Sequence, residues 1–281
     1  MTKALFLRYK HHENEGTARL HQHPFFRHFR TLSEDQLKNY LLQRMFSSRE
    51  FAGWYNEAVS RRLHDAGARE VIRTILRDEI PRDAPTHLED LVADLQQIGI
   101  PMERIRSIGP SSATRKTMER LFGLLNSNSD LATLVSLRMA GELMVSAEYG
   151  YVVAALEQRF GLRPEQSRFY YPHYRHDSEG GDHPDAFTAV LEQLIQTPAD
   201  LEMALRAVDA AVEARLSFFD QFVGGGIRRR SGSIAFAAAV AVLRFSPIHA
   251  SSQPHATIFF GVHSLRNAMP GWFNATGKPE T

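Results

Sequence analysis

Asp130–Phe160, DLATLVSLRMAGELMVSAEYGYVVAALEQRF, decides the fold. It contains no proline, and its apolar residues recur at helical spacing over roughly thirty residues. Val135, Met139, Val145, Tyr149 and Val152 stand on or near one side of such a helix, and Glu142 falls among them. An ionised carboxylate turned into a core must be paired, protonated or bound to a metal. Glu148, six residues on, is about 240° further round the helix and does not face the same place.

The same periodicity extends outward in both directions. Ser33–Gly67 opens with Ser33 three residues before Gln36, the pattern of a capping box, and Leu37, Tyr40, Leu41, Met45 and Phe51 follow at helical spacing. Gly67 is the expected stop there. A further helix over Ala68–Ile80 is broken by Pro81 and Pro85. His87–Gly99, Thr117–Ser127 and Thr197–Phe222 are also helical, the last with Thr197 as cap and Pro198 at the first helical position. No convincing alternation of β-branched and polar residues appears before the tail. The expected fold is all-α, a helical bundle of about seven helices.

Composition narrows the chemistry. The 281 residues carry 33 basic and 32 acidic side chains, so no net field selects nucleic acid or an anionic membrane. With no cysteine, disulfides, thiolate zinc sites, iron–sulfur clusters and cysteine nucleophiles are excluded. No apolar run has the length to span a bilayer, the N-terminal stretch lacks the apolar core of a signal peptide, and a cytoplasmic location is expected. Past Asp220 the only acidic residue is Glu280, and the segment starts GGGIRRRSGS. Residues 1–222 are therefore expected to form the bundle, and 223–281 an irregular or disordered tail behind a basic linker.

A second stretch, Phe169–Phe187 (FYYPHYRHDSEGGDHPDAF), concentrates metal-ligating side chains. With Pro172 at the first helical position, His173 and Asp177 lie four apart and share a face. An imidazole and a carboxylate one turn apart can bind one iron, manganese or zinc ion. Gly180 and Gly181 end that helix, Pro184 starts the next, and His183 sits at the junction. Glu79 and His87 flank the Pro81–Pro85 break, which lets both converge on one point.

Each group has a plainer reading by itself. His173 with Asp177 is a common surface pair, Glu142 could be salt-bridged to Arg138 one turn back, and Glu79 and His87 could be solvated caps. His176 reads as exposed or adjacent to the site. Tyr40, Phe51, Trp54 and Tyr55 read as core or pocket lining, and His11, His12, His21, His23 and His28 form no ligand pattern.

The order of these groups resembles the haem-oxygenase-like diiron oxidases. A Glu and a His flank a helix break, an inward Glu lies on a later long helix, and His-x-x-x-Asp follows about thirty residues on. The resemblance runs over roughly residues 20–222, including an early His23–Phe26 segment, HPFF. It implies the helical bundle shared with TenA thiaminases and PqqC-like oxidases. It also implies a metal site of Glu79, His87, Glu142, His173, Asp177 and His183, with Glu142 and His173 central to catalysis. The implied cofactors are two iron ions, or iron and manganese, with dioxygen as co-substrate. The implied substrate is a small molecule such as an amino acid, amine or fatty acid, bound near Tyr149, Tyr170 and Arg138 or Arg175. An external electron donor and a homodimer also follow from the resemblance.

The chain departs from the family at one position. The usual His-x-x-x-Asp-x-x-His pattern asks for histidine where Gly180 stands, and the next histidine is His183. Either a local insertion carries His183 into the site, or one ligand is missing. Two alternatives stay open, a metal-independent PqqC-like oxidase and a non-catalytic binding module with a decayed site. TenA-type chemistry is disfavoured because it uses a cysteine.

Overall fold

The computed structural model describes residues 2–178 and 180–223. The tail expected from residue 223 lies, from 224 onward, outside the described residues. Helices follow one another throughout: α1 (Thr2–Gln22), α2 (Pro24–Arg27), α3 (Glu34–Glu57), α4 (Ala66–Glu79), α5 (His87–Gln97), α6 (Met102–Ser107), α7 (Ser112–Gly123), α8 (Asp130–Leu137), α9 (Met144–Phe160), α10 (Tyr170–His176), α11 (Asp182–Leu194) and α12 (Pro198–Phe219). No strand occurs among the described residues, and the fold is the expected all-α bundle. The helical segments outnumber the expected seven because short helices fill the turns.

Local sequence sets most of the boundaries. Ser33 and Gln36 form the reciprocal cap that starts α3, with backbone bonds of 3.2 and 2.8 Å. Thr86 with Glu89 does the same for α5, and Thr197 with Asp200 for α12. Gly67 is not a stop. It is the second residue of α4, whose N-terminus is capped by Asp65 accepting from the Ala68 N–H at 2.7 Å. The preceding helix ends earlier, at Glu57, and runs into a π turn over Ala58–Arg62.

Asp130–Phe160 is helical from end to end, as expected, but not as one α-helix. A π turn at Arg138–Leu143 separates α8 from α9, with the Met144 N–H reaching back five residues to the Met139 carbonyl. The extra residue changes which side chains stack. Arg138 and Glu142 do not pair one turn apart; Arg138 turns toward α1, where Glu13 accepts from its Nε at 2.7 Å. Val135, Met139, Val145, Tyr149 and Val152 are all buried.

The first helix was not legible in the N-terminal pattern. Leu5, Phe6, Tyr9, Glu13, Gly16 and Leu20 form the buried stripe of α1, and most of its other residues are polar or charged. That stripe packs on α12, which also contacts α7 and α8. Beneath α2, Phe25, Phe26 and Phe29 pack with Tyr40 and Phe219, so the HPFF segment serves as a plug for one end of the bundle.

One buried carboxylate ties three helices together at the centre. Glu148 on α9 accepts from Arg44 Nε on α3 at 3.1 and 3.2 Å, from Arg215 on α12 and from the Tyr40 hydroxyl. All four side chains are nearly free of solvent. Glu148→Ala strands two guanidiniums in the interior and should cost about 3–5 kcal/mol in urea denaturation. Glu213→Ala, which removes the exposed partner of Arg19, should cost about 1 kcal/mol or less.

Candidate metal centre

Five elements deliver the ionisable groups to one region. Glu79 is the last residue of α4 and His87 the first of α5, separated by the proline-broken turn. Glu142 lies in the π turn, His173 on α10 with Asp177 as its C-cap, and His183 in the first turn of α11. They assemble as two groups of three, Glu79–His87–His173 and Glu142–Asp177–His183.

In the first group His87 Nδ1 stands 3.0 Å from Glu79 Oε1, and His173 Nε2 stands 3.7 Å from the same oxygen. His173 Nδ1 lies 2.8 Å from the Phe169 carbonyl, which can only accept. A proton therefore sits on Nδ1, and Nε2 is the nitrogen turned toward Glu79. In the second group His183 Nδ1 is 3.1 Å from Asp177 Oδ1 and 3.3 Å from Glu142 Oε2. Its other nitrogen is 3.3 Å from Asp78 Oδ2, and the Tyr55 hydroxyl donates to Glu142 Oε1.

The turn after Asp177 resolves the departure at position 180. Gly180 has φ +79°, a left-handed conformation that side chains rarely adopt. At Gly181 a Cβ would stand 2.2 Å from the His176 carbonyl oxygen. Two glycines let the chain fold back tightly enough for α11 to begin at Asp182, one turn of which carries His183 onto Asp177. Both helices here start two residues before the expected prolines, since Pro172 and Pro184 fall in third position. The three-residue displacement thus supplies a histidine where the linear pattern shows a gap.

Electrostatics differ between the two groups. Burial alone would raise the pKa of Glu79, yet the closely placed imidazoles of His173 and His87 hold it well below the usual carboxylate range. Burial and the neighbouring Glu142 carboxylate push Asp177 well up. Burial would lower His183, but its hydrogen bonds to Asp177 and Glu142 outweigh this and raise it to about 11. Tyr55 is raised by burial and then by the Glu142 charge. The second group sets two carboxylates against one imidazole, a deficit of positive charge in a buried place.

The donors suit a divalent first-row ion. Two ligand atoms about 2.1 Å from one ion and at right angles lie about 3.0 Å apart, close to the shorter separations here. His87 Nδ1 and Asp177 Oδ2 are buried without a hydrogen-bond partner. His87 Nδ1 is near Glu79 but off the line a hydrogen bond needs, as two ligands of a shared ion would be. Glu79, Glu142, His173 and Asp177 face a common cavity whose other walls include Phe51, Val145 and Tyr149.

Of the residues expected around a substrate, Tyr149 lines that cavity, its hydroxyl 3.4 Å from Ser48 Oγ. Arg138 does not take that role. It is buried, bidentate on Glu13 at 2.7 and 3.1 Å, and donates to the Pro184 carbonyl, so its guanidinium is committed to structure. Tyr170 is buried beside Tyr149, ring centroids 5.2 Å apart, and is not part of the cavity wall. Arg175 and His176 are exposed. Sequence reading missed Asp78, which looks like an ordinary charged helix end, and took Tyr55 for core or pocket lining without its partner Glu142. Neither carries a pattern of its own.

The turn is directly testable. Gly181→Ala should destabilise the protein by about 1–3 kcal/mol through backbone overlap. Gly53→Ala on α3, where a Cβ meets nothing within 4 Å, should stabilise it by about 0.5–1 kcal/mol. Urea midpoints of the two variants compare them.

Solved structures share the fold. A CadD-like protein of unknown function from Nostoc punctiforme is 16% identical, with a TM-score of 0.60 over 77% of this chain and 97% of its own. A domain of unknown function with a haem oxygenase-like fold from Shewanella denitrificans is 15% identical, with a TM-score of 0.60 over 76% and 89%. A TenA homologue from Pseudomonas syringae pv. tomato is 14% identical, with a TM-score of 0.61 over 77% and 91%. At these identities the likeness concerns the fold. A search of curated proteins found no match. The model of a haem-oxygenase-like family described as an iron-containing redox enzyme matches residues 38–216, so the chain belongs to that family.

Proposed function

We propose that the protein is a metal-dependent oxidoreductase that uses dioxygen to oxidise a small organic molecule. Two ions would be held, both iron or one iron and one manganese. The observation that carries this reading is the convergence of six imidazoles and carboxylates, from five elements, into two triads in the bundle interior. Glu79, His87 and His173 would hold one ion, and Glu142, Asp177 and His183 the other. The bound metals supply the redox chemistry by which dioxygen is activated, with electrons from an external donor.

The protein's own groups prepare the site. The Phe169 carbonyl keeps the proton on His173 Nδ1 and so fixes which nitrogen faces the centre. Asp78 does the corresponding work at His183 Nε2, leaving Nδ1 toward Glu142 and Asp177. Tyr55 holds one oxygen of Glu142, so the other is aimed at His183. Gly141 allows that contact, because a Cβ there would stand 2.7 Å from the Tyr55 hydroxyl. Phe51, Val145 and Tyr149 limit water around the reacting molecule.

Three measurements test the reading. Protein grown with added iron should carry two ions per chain by elemental analysis, while Glu142→Ala and His173→Ala should each retain one or fewer and stay folded. Absence of metal uptake by the unaltered protein sinks the proposal, as does oxidase activity unchanged by thorough chelation. Because His183 is raised to about 11 it is protonated at neutral pH, and a ligating nitrogen must be free. Metal binding should therefore release protons and tighten as pH rises from 6 to 8, read by calorimetry in buffers of different ionisation enthalpy.

A further inference from the structure

Helix α10, which carries His173, begins without a local cap. Phe169 at its cap position has no side-chain acceptor, and Pro172 supplies no N–H. The acceptor comes from α5 instead. Asp94, fully buried, accepts from the Arg168, Phe169 and Tyr170 N–H groups at 2.8, 3.0 and 3.2 Å, and from the Ser167 hydroxyl at 2.7 Å. Ser167 Oγ in turn accepts from the Tyr171 N–H at 3.0 Å. The donors left open at the start of α10 are thereby answered through one carboxylate of another helix.

Asp94 also shares a face of α5 with His87, seven residues and two turns earlier. Between them on that face Asp90 pairs with Arg168 at 2.8 Å. One side of α5 thus grips the segment before α10 at two points and carries His87 at its end. The rings of His87 and His173 come to lie 4.6 Å apart between centroids.

The bonds also run in series. The Tyr170 N–H and the Phe169 carbonyl are the two ends of one peptide group. Its N–H donates to Asp94 Oδ2, and its oxygen accepts from His173 Nδ1 at 2.8 Å. A carboxylate drawing on the N–H of an amide makes the amide oxygen a stronger acceptor, because hydrogen bonds in series polarise one another.

We propose that Asp94 is a positioning residue for the Glu79–His87–His173 group, acting on the His173 ring through this single peptide group. It keeps a proton on Nδ1, turns Nε2 to the centre and sets the spacing of the two imidazoles. Orientation of the ring depends only on contacts within the chain; the effect on metal affinity rests on the two-metal reading.

Long-range nitrogen–proton NMR of the histidine rings, in metal-free protein and during zinc titration, reports His173 and His183 separately. In the unaltered metal-free protein His173 Nδ1 should carry a slowly exchanging proton, and a bare Nδ1 overturns the proposal. Asp94→Asn turns one acceptor into a donor facing N–H groups. It should speed exchange of that proton, weaken zinc at His173 about tenfold or more, and leave zinc at His183 within about threefold. Ser167→Ala removes the hydroxyl contacts but keeps the peptide chain of bonds, and should leave both sites within about threefold. Circular dichroism establishes folding; should Asp94→Asn not fold, Asp94→Glu, which displaces the peptide group, gives the same comparison with the same selective weakening expected. Equal weakening at both histidines, none at His173, or the same loss in Ser167→Ala makes Asp94 a structural cap only and overturns the proposal. If the unaltered protein binds no zinc the metal reading fails, and exchange of the Nδ1 proton still decides the role of Asp94.

Discussion

Charge buried in a helical bundle must be answered inside that bundle, and this constraint organises the whole interior. Helices satisfy their own backbones, so they cannot neutralise an inward carboxylate except through side chains on neighbours. Glu13 therefore meets Arg138, and Glu148 meets Arg44 and Arg215. Each pairing fixes the spacing and rotation of the helices it joins. The bundle is held by leucine and phenylalanine area, but its register is pinned by these few ionic contacts.

Against that background the Glu142–Asp177–His183 group stands apart. Its neighbours supply one imidazole for two carboxylates, and Asp177 keeps a buried oxygen with no partner. Where Glu148 is over-answered by arginines, this group is under-answered, and a divalent cation is the species whose charge and ligand preference fit. The π turn is what keeps the two regions separate. It turns Arg138 toward α1 and leaves Glu142 to Tyr55 and His183, so the nearest arginine in sequence cannot quench the site.

The same asymmetry runs along the cavity. At one end carboxylates and imidazoles lack positive charge; next to it two arginines exceed their single acid. A cation at the first place would relieve its local imbalance.

Much of the site was written in chain order. Glu79 and His87 bracket a double-proline break, His173 and Asp177 share one turn, and Glu142 sits amid apolar neighbours; these relations are local, and helical periodicity exposes them. Capping at Ser33 and Thr197 was equally local, because a cap depends on a side chain and a backbone N–H three residues away. Gly67 misled because a glycine near the end of one pattern can as well stand in the first turn of the next. Arg138 misled because one α-turn places it over Glu142, and only the extra residue of the π turn moves it away. Tertiary structure alone decided that His183 fills the place vacated by Gly180, that Asp78 and Tyr55 brace the centre, and that Arg215 comes to line a cavity. Those outcomes depend on contacts between residues dozens of positions apart, whose geometry is set by how helices pack and not by any spacing within one of them.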